Sequence, residues 1–223
     1  MSSQIEHKDR IAFKTNNLAV GIGKLNLLQR VNLELRFGEI VGLAGPNGSG
    51  KTLLLKTLIG LIPPLDGTYN VYTTPSNKLS RFNPQIGVCI DGPGYDPELS
   101  GLRNIERLTK IRKIVTVEEI SAEMRRFGLD PESKKPMKDY SLGMKQKIDI
   151  IQSYVEGQQI LLLDEPFNAL DEASREVVKS IMRELSTEGR AIMVTSHAKE
   201  DWIGLVDRSL SISECKVIAG RES

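Results

Sequence analysis

The stretch EIVGLAGPNGSGKTLLLKTLIG, residues 39–60, decides the fold. Its first seven residues are nearly continuous in apolar side chains, which is typical of a strand that is buried on both faces. Its last ten residues have helical spacing and end at Gly60, with Pro63 and Pro64 just beyond, as helix ends do. A glycine-rich turn joins the two, so the stretch predicts a strand–turn–helix unit of an α/β protein.

The turn at residues 45–52 matches the phosphate-binding pattern G-x-x-x-x-G-K-[ST]. Glycines let successive backbone N–H groups point at one centre, and the N-terminus of the following helix adds positive potential there. We expect Lys51 to contact the β- and γ-phosphates of a nucleotide and the Thr52 hydroxyl to ligate Mg²⁺. A chance glycine-rich turn is the alternative, but a predicted strand and helix flank this one as the pattern requires. The predicted phosphate loop consists of Gly45, Pro46, Asn47, Gly48, Ser49, Gly50, Lys51 and Thr52.

Two carboxylates follow a second apolar strand. This strand reads ILLL at 160–163 and ends in Asp164 and Glu165, which is unusual for a buried strand unless the carboxylates face a site. We expect Asp164 to hold Mg²⁺ through water and Glu165 to orient or deprotonate a water that attacks the γ-phosphate. His197 ends the next predicted strand and should emerge at the same sheet edge. An acidic helix cap and an ordinary surface histidine are the simpler alternatives.

The rest of the sequence divides into three parts. The first forty residues alternate short apolar runs with turns, which favours antiparallel strands. Two amphipathic helices and the start of a third follow within 101–147, and the last third alternates strand and helix, which implies a parallel sheet. We predict one α/β domain over 1–223: a P-loop NTPase core with a parallel sheet (1–100 and 148–223), an N-terminal antiparallel β subdomain and an inserted helical subdomain (101–147).

The composition excludes several classes of protein. Of 223 residues, 39% are hydrophobic, and the net charge of +1 argues against a protein that coats nucleic acid. Residues 101–147 carry a net charge of +5 and the remainder −4, which indicates a solvated face or, alternatively, a lobe near an anionic membrane surface. The two cysteines suit a reducing cytoplasm. No apolar run approaches 18 residues, so we expect a soluble chain that reaches a membrane only through a partner.

The stretch YSLGMKQK, residues 140–147, gains its meaning from the other motifs. Taken alone, Ser141 is simply a good helix N-cap. Together with the phosphate loop, ILLLDEP, NALD and TSH, in this order and at these intervals, it makes the chain resemble the ATP-binding subunits of ABC transporters over nearly its whole length. The spelling of this stretch, with IGVCIDGPGYDPELSGLRNI before it, is similar to the bacitracin and lantibiotic resistance branch.

The resemblance implies roles for further residues. YSLGMKQK falls where the family has LSGGQ, so Ser141 and Gly143 would bind the γ-phosphate that the opposite subunit holds, although Leu142 and Met144 replace a glycine and the glutamine. Asp91 stands where the family has Gln or Glu beside the metal, and Asp171 would cross the dimer interface. Leu53 replaces a common second Ser or Thr of the phosphate loop. Ile22 stands where an aromatic ring usually stacks on adenine.

The resemblance also implies a function. Two copies would enclose two MgATP, hydrolyse them and drive a polytopic membrane subunit that exports a drug or antimicrobial peptide, with the ATPase on the cytoplasmic face of the membrane. Two alternatives remain at this point: an ABC-type ATPase that acts on nucleic acid or the ribosome, and a regulatory nucleotide binder. The first usually carries a long coiled coil or a second ATPase domain, and the second should have lost Glu165 or His197. We expect no nucleic-acid partner, and the sequence does not identify the exported substrate.

Overall fold

The structure is a computed structural model that describes residues 10–23, 25–72, 85–92 and 94–219, the side chain of Lys199 excepted. The strands within these residues are β1 (Ile11–Ile22), β2 (Leu25–Val31), β3 (Glu34–Arg36), β4 (Ile40–Ala44), β5 (Asp66–Val71), β6 (Ile86–Cys89), β7 (Ile160–Leu163), β8 (Ala191–Ser196), β9 (Arg208–Ser213) and β10 (Lys216–Ala219). The α-helices are α1 (Lys51–Leu58), α2 (Gly101–Thr109), α3 (Val117–Arg126), α4 (Leu142–Tyr154) and α5 (Glu172–Thr187). Short 3₁₀ helices cover Met137–Asp139 and Lys199–Trp202.

The larger sheet has the strand order β10-β9-β4-β8-β7-β6. All its neighbours pair in parallel except β9 and β10, which form an antiparallel hairpin. Every residue of β4, β7 and β8 is buried, as expected for central strands covered on both faces. Because parallel strands end at the same edge of a sheet, the segments that follow β4, β6, β7 and β8 lie along one edge. This edge carries the predicted phosphate loop, Asp91, the Asp164–Glu165 pair and His197.

A second, antiparallel sheet combines β1, β2, β3 and β5. The sequence suggested separate short strands over IAF and NNLAV, but β1 is one continuous strand of 12 residues. Its polar middle turns outward: Asn17 has a φ of +48°, and its N–H donates to Asn32 Oδ1 at 2.9 Å. The pairing with β2 and β5 also shifts register along the strand. Such irregularities let a strand continue through residues that look like a turn in the sequence.

The helical segment contains α2, α3, the 3₁₀ turn at Met137–Asp139 and the start of α4. One face of α4 is buried, since Ile148 and Ile151 lie in the core and Met144 and Val155 pack against the same core. Helix α2 ends at Thr109, and the turn that follows reaches a left-handed residue at Lys113. The α/β fold with an N-terminal antiparallel sheet and inserted helices is as the sequence predicts.

Candidate functional site

The phosphate loop leaves the N-terminus of α1 open. Gly48 and Gly50 have φ values of +77° and +102°, a region that glycine enters at little cost, and they bring the chain from β4 into the helix. The first N–H groups of a helix lack partners within it and are normally capped by a side chain. The N-terminus of α1 has no side-chain cap, whereas α2, α3, α4 and α5 are capped by Ser100, Thr116, Ser141 and Asp171. The amides of α1 are therefore available to an anion.

Two further features of the loop suit a phosphate. The hydroxyl oxygen of Ser49 is buried and has no hydrogen-bond partner within the described part of the chain, which is costly unless a ligand supplies one. Lys51 is only 5% exposed, and its ammonium group donates to the carbonyls of Gly45 at 2.7 Å and Pro46 at 3.3 Å. A nearly buried cation therefore lies directly against the loop.

The end of β7 places Asp164 beside the phosphate loop. Its Oδ2 accepts from Thr52 Oγ1 and its Oδ1 from Thr195 Oγ1, both at 2.5 Å, and its backbone N–H donates to Cys89 O at 2.7 Å. Mg²⁺ is usually held by one or two protein oxygens together with substrate phosphates and waters. Among the described residues, no group of three or more His, Cys, Asp or Glu is arranged so that it could hold a metal ion by itself. The Thr52 hydroxyl and the Asp164 carboxylate are hard oxygen donors that fit such a sparse site.

Glu165 is the centre of the cluster. Its Oε1 pairs with Lys51 Nζ at 3.2 Å, and its Oε2 accepts from Asn168 Nδ2 at 3.0 Å. His197 Nδ1 lies 2.7 Å from the same Oε2, and because a carboxylate only accepts, this nitrogen carries the hydrogen. Partial burial alone would raise the pKa of Glu165, but the hydrogen bonds from His197, Lys51 and Asn168 and the Lys51 charge hold the pKa below its ordinary value. Glu165 is therefore an ionised carboxylate at neutral pH.

The structure thus brings the three predicted catalytic residues, Lys51, Glu165 and His197, into one connected group. Asn168 and Thr195 also hold this group in place, but neither was predicted from the sequence. Both belong to motifs named above: Asn168 begins NALD, three residues after Glu165, and Thr195 begins TSH. Their position in these motifs was the available signal.

Ser141 and Gly143 begin α4 on the surface. Ser141 Oγ accepts from the backbone N–H of Met144 at 3.2 Å, as an N-cap does. A Cβ added at Gly143 would lie 2.6 Å from the carbonyl oxygen of Ala169, so this helix start lies directly against the loop before Asp171. Asp171 caps α5 through Ser174, whose hydrogen bonds lower the pKa of the Asp171 carboxyl.

Three predicted binding residues lie apart from the Lys51–Glu165–His197 group. Asp91 has a φ of +59°, and its carboxylate pairs with Lys56 on α1 rather than with Thr52 or Asp164. Ile22 is 65% exposed and lies opposite Leu25, which is 62% exposed, where β1 and β2 meet. The side chain of Leu53 is buried in the core beneath α1, so only its backbone can face the loop.

Residues 28–168 match the family model described as ABC transporter. The chain belongs to the ABC transporter family. It is 37% identical over 88% of its length to an uncharacterized ABC transporter ATP-binding protein, YybJ of Bacillus subtilis (strain 168), of which the alignment covers 90%. It is 34% identical over 82% of its length to the bacitracin transport ATP-binding protein BcrA of Enterococcus faecalis, but spans only 60% of that protein.

Two further likenesses agree. The lantibiotic transport ATP-binding protein SrtF of Streptococcus pyogenes is 32% identical over 94% of this chain and 90% of its own. A solved structure described as an ATP-binding subunit of an ABC transporter superposes with a TM-score of 0.81, at 24% identity, over 93% of this chain and 88% of that one, which shows the fold. The predicted family and fold are therefore confirmed: this ABC protein is an ATP-binding, ATP-hydrolysing transporter subunit. None of its described helices is both long enough and apolar enough to cross a bilayer.

Proposed function

We propose that Glu165 is the general base of ATP hydrolysis and that Lys51 and His197 control it. Lys51 lies between the phosphate loop and Glu165, and its ammonium group contacts both. A γ-phosphate bound to Lys51 competes for this ammonium and so frees Oε1 of Glu165 to accept a proton from water. Oε2 stays held by His197 and Asn168, so the carboxylate keeps its orientation. The observation that carries the proposal is the way the Glu165 carboxylate is shared. One oxygen contacts Lys51, and the other contacts His197 and Asn168.

We propose that Thr52 and Asp164 hold Mg²⁺. Asp91 would approach the ion only after its ion pair with Lys56 breaks. When bound, the ion neutralises negative charge on the phosphates. The contribution of the chain is to orient the donors: Thr195 and the backbone N–H of Asp164 fix the carboxylate, while Asp164 itself fixes the Thr52 hydroxyl. The backbone amides of 45–53 and the side chain of Ile22 would then bind the rest of the nucleotide.

We propose that two copies of this chain form the working ATPase. Ser141 and Gly143 begin an exposed helix N-terminus, which is a favourable place for a phosphate of another subunit. Asp171 lies on the loop packed against that helix start, so both can reach a facing subunit together. Each chain carries one phosphate loop and one Ser141, which suits a symmetric pair with two shared sites.

We propose that the dimer energises a polytopic membrane subunit and lies peripherally at the cytoplasmic face of the membrane. Residues 101–147, which include the start of α4, would form the inserted helical subdomain. The names of the bacitracin and lantibiotic relatives favour a drug or antimicrobial peptide as the exported substrate. Copurification with a polytopic membrane protein supports this assignment, whereas copurification with ribosomes or DNA would favour the other class of ABC ATPase.

The role of Glu165 as general base is tested by Glu165→Gln. The variant should bind ATP like the wild type and lose turnover by ~10²–10⁴, because the amide cannot accept the proton. Glu176→Gln is a matched control, since Glu176 is exposed and pairs with Lys179 on α5, away from the phosphate loop. ATP binding and phosphate release are measured on the same preparations. Wild-type turnover in Glu165→Gln would place the base elsewhere.

The phosphate loop is tested by Lys51→Ala. This variant should lose ATP binding itself, because a nearly buried cation at the phosphates disappears. The measurement is the shift of the melting temperature caused by MgATP, with Lys179→Ala, an α5 lysine that pairs with Glu176, as control. An unchanged shift in Lys51→Ala would contradict the assignment of the loop.

A further inference from the structure

The Asp201 carboxylate, four residues after His197, accepts two short hydrogen bonds. Asp201 lies in the 3₁₀ helix that follows His197, and its side chain is only 11% exposed. Its Oδ2 accepts from Ser196 Oγ at 2.5 Å, and its Oδ1 accepts from the Arg175 guanidinium at 2.6 Å. Ser196 Oγ in turn accepts from the backbone N–H of Ala198 at 3.0 Å. The residues on both sides of His197 are thereby fixed to Asp201.

The same arginine holds the other loop of the site. Arg175 lies in the first turn of α5, and its Nε donates to the carbonyl oxygen of Leu170 at 3.2 Å. Leu170 lies between Asn168, which donates to Glu165, and Asp171, which begins α5. One guanidinium group therefore connects the loop of Asn168 with the loop of His197. A guanidinium is suited to this because its donors point in fixed, separate directions, whereas a lysine offers one point charge.

Neither Arg175 nor Asp201 forms a hydrogen bond or ion pair with Glu165, Lys51 or Asp164. Their effect on Glu165 must pass through the neighbours of the residues they hold. His197 at 2.7 Å and Asn168 at 3.0 Å share Glu165 Oε2, and Thr195, next to Ser196, accepts from the Glu165 backbone N–H at 3.0 Å. Charge-assisted hydrogen bonds are stronger than neutral ones, and a largely buried carboxylate that loses its cation is costly. The link is therefore stiff, and the two loops are expected to move as one unit.

We propose that Arg175 and Asp201 are positioning residues that lock the His197 loop to the Asn168–Asp171 loop and so keep Glu165 aimed at the attacking water. The inference rests on the proposed roles of Glu165 and His197. It adds that the loop at the proposed dimer interface and the loop of His197 are mechanically joined within one chain. A displacement of Asp171 by a facing subunit is then transmitted to His197 without any contact with the nucleotide.

Asp201→Asn and Arg175→Lys test the link directly. Each variant should lower kcat by about 10- to 100-fold, because a small misplacement far from the chemistry can cost that much. The equilibrium Kd for ATP should stay within about twofold, since the phosphate loop is untouched. Arg175→Lys should retain more activity than Arg175→Ala, because lysine can still pair with Asp201. Glu176→Gln, on the same helix, is the control. Wild-type kcat in both Asp201→Asn and Arg175→Lys would overturn the proposal.

A double-mutant cycle separates positioning from a merely structural role. In a His197→Ala background Asp201→Asn should lower kcat by clearly less than it does in the wild type, because one of its routes to Glu165, the one through the His197 side chain, is already cut. Losses that multiply would overturn the proposal. Wild-type turnover in His197→Ala would instead contradict the proposed function of His197. A large loss in His197→Ala together with wild-type turnover in Asp201→Asn would overturn only the link described here.

Discussion

Single side chains at this site are defined by several partners at once. Glu165 combines a left-handed backbone, with a φ of +48°, with hydrogen bonds to both carboxylate oxygens and to its backbone N–H. A non-glycine residue in that region costs on the order of 1–3 kcal/mol, which the surrounding bonds must offset. The proposed adenine-binding position at Ile22 is the opposite case, because few groups surround it. Ile22 and Leu25 form an exposed aliphatic surface that offers dispersion contacts but no aromatic face for stacking.

Ile22→Tyr should tighten ATP binding. A base stacked on an aromatic ring gains about 1–3 kcal/mol in single-strand binders, so an affinity increase of several-fold or more is expected. With Ile22 in place, the phosphates dominate recognition, and the wild type should bind ATP modestly and discriminate poorly against GTP. An equilibrium titration of the isolated subunit measures both. Ile218→Tyr, an exposed aliphatic position on β10, is the control. Submicromolar binding that is already strict for ATP would mean that another ring reaches the base.

At the scale of elements, α4 is joined to the end of β6 by a buried polar cluster. The Cys89 thiol donates to Asp149 Oδ2 at 2.9 Å, and Gln146 Nε2 donates to Cys89 Sγ at 3.3 Å. Burial raises the pKa of the Cys89 thiol, so it remains a donor at neutral pH. Burial also raises the pKa of Asp149 to about 6, against a smaller lowering by the Cys89 hydrogen bond. A carboxylate of this kind destabilises the fold when it is ionised.

The sign of the resulting pH dependence follows from proton binding. Between about pH 4 and 6 the folded chain holds a proton on Asp149 that the unfolded chain releases, so the free energy of unfolding falls as pH rises through this window. Above pH 6 the whole penalty, on the order of 3 kcal/mol, is present. Asp149→Asn should therefore be more stable than wild type at pH 7.5 and keep only about half of that advantage near pH 5, the middle of this window. Urea denaturation at both pH values measures it.

Asp139→Asn is the control for this prediction, because Asp139 is an exposed aspartate on the 3₁₀ turn just before α4. Its stability should follow the wild type at both pH values. If Asp149→Asn were less stable than wild type at pH 7.5, the ionised carboxylate would be contributing to the packing of α4 rather than opposing it.

Elements with strong local signals could be predicted from the sequence, and long-range pairs could not. β4, the phosphate loop and α1 follow from apolar runs and glycine positions within one stretch. Strand β10 was missed because it has only four residues, KVIA, which are mostly exposed and show no alternation of apolar and polar positions. Asp and Gly are common turn residues, but Asp66 and Gly67 lie inside β5, where Gly67 has a φ of +76°. Arg175–Asp201 and Cys89–Asp149 join residues far apart in sequence, and only the fold brings them together.

At the scale of the whole molecule, one sheet edge collects the groups that we propose act on ATP. The phosphate loop, Asp164, Glu165 and His197 come from three parallel strands, and their order in the sheet makes them neighbours. Ser141 is outside this cluster, exposed at the start of α4. Within one chain its hydroxyl caps a helix, and we infer that its role in catalysis is completed only by a second copy.

If two subunits share each ATP site, ATP binding should convert monomers into dimers, which size-exclusion chromatography measures. Glu165→Gln should elute as a monomer without nucleotide and as a dimer with MgATP, since slow hydrolysis preserves the closed pair. Adding Ser141→Ala should keep ATP binding but return the protein to a monomer. Thr116→Ala is the control, because it removes the N-cap of α3, a loss of about 1 kcal/mol, without a role at the interface. A Glu165→Gln protein that stays dimeric with ATP after Ser141→Ala, or never dimerises with ATP bound, would contradict the composite site.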